Sequence, residues 1–251
     1  MRLVALFLVT VLFCRNAYPQ NRDEMTMKEN RKQATLLLIP AALITYGSLS
    51  HFLTPLQDLN TDIRKGVQSI NTGNTSIDDK VQYLPVAGFV ALEVSRLEAR
   101  GDRAERLIAL LLAHGFMGTS VLCVKDNFRK LRPDLSSFNT FPSGHTATAF
   151  VAAELLRHYY WDSTPLCGIA AYVAAVSVGF ARIYNDRHWF GDVLAGAGVG
   201  ILSARLAILF APYLKQLLSE RLKLFRKADL TAGIAPFANS KSIGLSLNLQ
   251  F

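Results

Sequence analysis

The sequence predicts an all-α fold, an integral membrane bundle of five to six helices. Three observations carry that expectation. Of 251 residues, 51% are hydrophobic and only 18% are charged, more apolar than a soluble domain of this length. Runs with few or no charges recur at lengths suited to helices, and a bilayer core needs about 20 such residues. Period-two alternation, the mark of a strand, is confined to the final stretch "GLSLNLQF".

Taken in order, "MRLVALFLVTVLFC" places Arg2 before twelve uncharged residues, the layout of a signal peptide or N-terminal anchor over residues 1–20, too short to span. Residues 34–57 lack Asp, Glu, Lys and Arg but contain Pro40, Gly47, His51 and Pro55, which predicts a kinked or partly interfacial helix. Residues 58–80 are polar and rich in turn formers, so a loop is expected with an amphipathic helix in its first half. Residues 81–100 begin apolar and then carry Glu93, Arg96 and Arg100 at helical spacing, which fits a helix with a buried stripe and not one wholly facing lipid. Four spans follow at 107–124, 142–159, 163–181 and 192–213, and residues 215–227 are strongly basic. The end of the chain suits a short strand or a disordered tail, since a lone strand would lack a partner. Four segments result: 1–20, an N-terminal helix and polar loop at 21–80, the helical bundle at 81–214, and a basic segment with tail at 215–251. No repeat of solenoid length is present.

Net charge is +8 and pI about 9.5, which suits nucleic acid, anionic lipid and phosphate-bearing substrates alike. The mean hydropathy of +0.23 chooses the bilayer and a lipid, and no nucleic acid. Cys14, Cys123 and Cys167 sit in apolar runs without metal-ligand spacing, and no metal or cofactor is expected. Arginines at 96, 100, 103 and 106 precede one span and a basic cluster follows the last, so both ends are read as cytoplasmic. Connections 125–141 and 182–191 then share the outer side. Whether 34–57 crosses stays open, because a cleaved signal and the charge count disagree about where it starts.

Those two connections hold the unusual polar residues. "KDNFRKLRP" supplies Lys125 and Arg132, "PSGH" supplies Ser143, Gly144 and His145, and "RIYNDRHWFGD" supplies Arg182, His188 and Asp192. Three cations match the oxygens of a phosphate. Behind Pro142, N–H groups near Ser143 and Gly144 would point at an anion, aided by the helix dipole. His188 and Asp192 stand four apart, so the carboxylate can fix the imidazole tautomer and leave the other nitrogen nucleophilic. His145 is then the general acid. His114 reads as packed or pore-facing, His51 and His158 carry no partner pattern, and Tyr159, Tyr160 and Trp161 read as an interfacial belt.

The three motifs together resemble the signature of the type 2 phosphatidic acid phosphatase superfamily, which also includes vanadium haloperoxidases. The resemblance covers residues 125–192 directly. It implies a helical bundle with a metal-free phosphate site, a phosphorylated histidine nucleophile (His188) oriented by Asp192, and His145 as acid. Lys125, Arg132, Ser143, Gly144 and Arg182 would bind phosphate. One departure is visible: Ala181 stands where the family usually has serine. The implied activity is a membrane phosphatase acting on a lipid phosphomonoester or diphosphate such as phosphatidic acid, polyprenyl diphosphate or lipid A. It would sit in the cell membrane, the inner membrane if the envelope has two, with its site facing outward. A vanadate-dependent haloperoxidase-like enzyme and a non-catalytic binder of anionic lipid are the alternatives.

Overall fold

The computed structural model describes residues 27–73, 75–227, 231–239 and 242–250, so the signal or anchor expected at 1–20 lies outside the described residues. Eight helices are described. The first, α1 (Met27–Leu49), contains Pro40. It turns through 93° into α2 (Thr54–Gln68), where Leu53 is extended and a proline occupies the first turn, the place where a missing N–H costs least. The short α3 (Ile77–Val81) and α4 (Leu84–Ser95) follow. Then come α5 (Arg103–Asn127), α6 (Gly144–Tyr160), α7 (Pro165–Tyr184) and the long α8 (Phe190–Lys227). The amphipathic helix expected in the polar connection is α2. The second half of that connection, expected as loop, contains α3.

Helix α6 is the centre of the bundle. It packs on α4, α5, α7 and α8, and twelve of its seventeen residues are buried. Small residues set the spacing. A Cβ on Gly196 would stand 2.5 Å from the Ser143 carbonyl oxygen, and one on Gly200 would stand 2.5 Å from that of Ala147. Glycine on α8 therefore lets the two backbones approach closely.

Helices α5, α7 and residues Phe190–Arg221 of α8 are long and apolar enough to cross a bilayer. Leu111, Leu122, Leu166 and Val173 are exposed along α5 and α7, as lipid-facing residues should be. The expected fourth span, α6, is absent from this set because it has seventeen residues and carries two charges, Glu154 and Arg157. It buries Glu154 against Arg157 (2.7 Å) and Arg205 (2.8 Å), so its composition need not be apolar all round. Among the described residues, a further span arises only if the bent α1–α2 pair counts as one.

Three smaller expectations are corrected. Arg96 ends α4 in a left-handed conformation (φ 57°), and Arg100 lies beyond it, bonded to Asp162 at 2.6 Å. Only Glu93 of that trio is buried, held by Arg106 and Tyr160. Tyr159 and Tyr160 belong to the core, leaving Trp161 exposed. The tail is a two-stranded antiparallel hairpin, β1 (Thr231–Asn239) with β2 (Ser242–Gln250). The strand expected to lack a partner pairs with the segment just before it, whose Ala, Gly and Pro content hides any alternation.

Candidate active site

The C-terminal ends of α5 and α7 and the N-terminal ends of α6 and α8 meet at one end of the bundle. Lys125 lies in the last turn of α5, and its Nζ donates to the Asn139 carbonyl at 2.6 Å. Arg132 Nε donates to the Asn139 side-chain oxygen at 3.0 Å, so one residue holds both cations. Burial lowers the Arg132 guanidinium below its ordinary value, and the neighbouring charge of Arg182 adds to that. Like charges crowded in a poorly solvated place are relieved by an anion.

Ser143 is fully buried and caps α6. Its N–H, expected to be free, donates to the Asp192 carbonyl at 3.0 Å, and its hydroxyl lies 2.9 Å from that of Thr146. The free donors at this helix start therefore begin at Gly144. A Cβ on Gly144 would meet nothing closer than Val121 Cγ1 at 3.7 Å. Protein packing alone thus does not demand glycine there.

Arg182, buried at the end of α7, donates from one terminal nitrogen to Asp78 of α3. Its Nε is buried with no hydrogen-bond partner among the described residues. The chain then turns through Asp186 at φ 59°, and the N–H groups of Arg187 and His188 both return to the Arg182 carbonyl. That turn delivers His188 into the interior, where it is 2% exposed.

The expected contact between His188 and Asp192 is indirect. Nδ1 stands 3.7 Å from Asp192 Oδ2, beyond hydrogen-bond length. The hydroxyl of Thr140 lies between them, donating to Oδ2 at 2.5 Å and standing 3.3 Å from Nδ1. With its own proton directed to the carboxylate, that oxygen can only accept from Nδ1–H. The His188 proton is thereby fixed on Nδ1 and the lone pair on Nε2. Burial lowers the imidazole from its ordinary 6.5 to about 4, against the raising effect of Asp192, so it is neutral near pH 7.

Four residues outside the three motifs join the site. Thr140 is one. Asp79 Oδ1 lies 2.8 Å from His145 Nε2 and 3.4 Å from Arg182, and Asp78 also accepts from Asn185 at 2.9 Å. These carboxylates line a polar cavity of about 400 Å³ shared with Arg132, Arg182, Asn185 and Arg187. His51, in the break between α1 and α2, places Nε2 3.0 Å from Asp192 Oδ1. The signal for His51 was present: an ionisable side chain inside a Pro- and Gly-interrupted apolar segment marks a site more often than not. A second hollow of about 420 Å³, lined by Trp161, Tyr172 and Val176, is apolar and holds none of the motif residues.

The polar connection is strapped across this end. Arg64 forks onto Asp186 at 2.6 Å through Nε and a terminal nitrogen. Asn71 and Gln68 donate to the Tyr184 carbonyl, and Thr75 exchanges two hydrogen bonds with Asn185.

A membrane-crossing helical bundle that gathers cations and two histidines at one end defines an integral membrane protein with a polar pocket at that end. Residues 106–216 match the PAP2 superfamily. A lipid A 1-phosphatase of Porphyromonas gingivalis is 33% identical over 179 residues, which is 71% of this chain and 38% of the relative. Phosphatidylglycerophosphatase B of Bacillus subtilis is 32% identical over 41% of this chain and 53% of its own length. The chain thus spans about half or less of these relatives. A crystal structure of a transmembrane PAP2-type phosphatidylglycerolphosphate phosphatase from Bacillus subtilis shares the fold. Its TM-score is 0.51 at 24% identity, covering 72% of this chain and 96% of that one.

Proposed function

We propose that the protein is a phosphatase that removes phosphate from a lipid phosphomonoester or diphosphate, with residues 81–214 as its catalytic bundle. The observation that carries this reading is the Thr140-mediated pairing of His188 with Asp192 beside three phosphate-matching cations. Lys125, Arg132, Arg182 and the N–H groups from Gly144 onward take the phosphate oxygens, and the buried Ser143 shapes that cradle. His188 Nε2 attacks phosphorus, forming an N–P bond as the P–O bond to the lipid breaks. His145 gives its proton to the departing oxygen. Water, deprotonated by the now neutral His145, then cleaves the N–P bond and frees phosphate. Asp192 holds the charge that His188 acquires.

Among substrates, a lipid A phosphate ranks first, because the relative aligned over most of the chain is a lipid A 1-phosphatase. Phosphatidylglycerol phosphate, phosphatidic acid and polyprenyl diphosphate follow. A signal peptide or anchor at 1–20 and the basic flanks favour a site on the outer face of the cell membrane, the inner membrane where there are two.

The test is phosphate release by detergent-purified protein from a panel of those four lipids. The wild type releases phosphate, vanadate inhibits, and His188→Ala abolishes release. Undiminished release by that variant would sink the mechanism. Halide oxidation stimulated by vanadate would favour the haloperoxidase alternative, and salt-sensitive lipid binding without release the non-catalytic one.

A further inference from the structure

We propose that His51, which lies outside the 106–216 family segment, is a positioning residue for the nucleophile, holding the oxygen of Asp192 that Thr140 does not reach. The inference rests on His188 being the nucleophile, as argued above. Asp192 is fully buried and its two oxygens are treated differently. Oδ2 accepts from the Thr140 hydroxyl at 2.5 Å and from the Trp189 N–H at 2.8 Å. Oδ1 has no aligned hydrogen bond, and neither does Nε2 of His51, yet the two atoms face one another at 3.0 Å. Each is buried, and each would be orphaned without the other. Leaving a buried charged oxygen unpaired is costly, so a small closure of this contact is the available remedy.

The surroundings make the contact specific. The His51 ring packs edge-on against Phe141 at 4.8 Å and lies 5.3 Å from Phe128, which fixes its plane. The break that carries it is docked on the start of α8. Asn60 accepts from the Gly191 N–H at 3.0 Å. A Cβ on Gly191 would fall 1.9 Å from Ser50 Oγ, and one on Gly47 would fall 2.4 Å from the Gly191 carbonyl oxygen. Backbone and ring are thus set together against the turn that presents Asp192. The 93° bend between α1 and α2 is what lets a histidine enter from that side.

When His188 is phosphorylated its ring becomes cationic, and Asp192 must hold that charge without turning away. A donor on Oδ1 pins the carboxylate plane. The consequence falls on the chemical step and not on substrate binding. Three variants in detergent, assayed with the fastest substrate of the panel above, test it. His51→Phe keeps the aromatic packing and removes the donor. kcat then falls about tenfold while KM changes by less than about twofold. His51→Gln, which returns an amide N–H, recovers most of that loss. His188→Ala run alongside reports separately on the nucleophile: if it retains full release, the assignment of His188 as nucleophile fails and not the placement of His51 alone. Unchanged kcat in His51→Phe overturns the inference, as does a loss confined to KM or a Gln variant no better than Phe. Equal melting temperatures of the variants in detergent show that the comparison is between folded proteins.

Discussion

Asp192 and His188 illustrate how few atoms decide the chemistry. The carboxylate meets Thr140, the Trp189 N–H and His51, and the imidazole is left neutral by burial, at about 4 against 6.5. The pH dependence of stability follows. An unfolded chain protonates this histidine below about pH 6.5, whereas the folded chain resists until about pH 4. The unfolded state therefore binds more protons in that window, and stability falls as pH drops through it, by up to about 1.4 kcal/mol per pH unit. Replacing His188 with Gln should flatten the slope, measured by melting in detergent at pH 7, 6, 5 and 4; an unchanged slope would mean that the ring is solvated. The motif residues were legible in the sequence because their spacing within short loops is local. Asp79 and Thr140 were not, since what matters for each is a contact 66 or 48 to 52 positions away, and single-sequence spacing says nothing about such pairs; for His51 the interrupted apolar segment was a signal, but its partner 141 positions away was not.

At the scale of elements, the site depends on how closely α8 approaches α6. Gly196 lies where a methyl group would meet the Ser143 carbonyl oxygen at 2.5 Å, a backbone atom that cannot rotate aside. Gly196→Ala therefore forces the two helices apart at the turn that carries Ser143, costing about 1–3 kcal/mol and lowering kcat. Gly144→Ala, with only Val121 at 3.7 Å, should leave the melting temperature unchanged. A Gly196→Ala protein with unaltered melting temperature would show that the contact is looser than described. The apolar helices were legible from charge-free runs, but the end of α8 was not, because the helix continues through the basic residues 215–227 to Lys227. Helix α3 was not, because five residues are too few to show a period, and its Asp78 and Asp79 matter through Arg182 and His145 and not through any local pattern.

For the molecule as a whole, two buried charge clusters hold the bundle beyond the candidate site. Glu93 meets Arg106 and Tyr160, and Glu154 meets Arg157, Arg205 and Tyr172. Removing one member strands the others. Glu154→Ala should destabilise the protein by about 3–5 kcal/mol, read as a lower detergent melting temperature, whereas Glu154→Gln should cost less. Equal melting of Glu154→Ala and wild type would mean that water reaches the cluster.

The same glutamate bears on how the protein is made. A helix carrying Glu154 in its interior and Arg157 in its last turn is one that a translocon releases into lipid reluctantly, with a charged residue costing about 2.5–3.5 kcal/mol at the helix centre. Alone, α6 would stall or slip back during synthesis. Its partner Arg205 lies on α8, the last of the four bundle helices to emerge from the ribosome. Insertion of α6 is therefore complete only once α8 has arrived, and a chain truncated before residue 205 should leave α6 exposed to the quality-control proteases of the membrane.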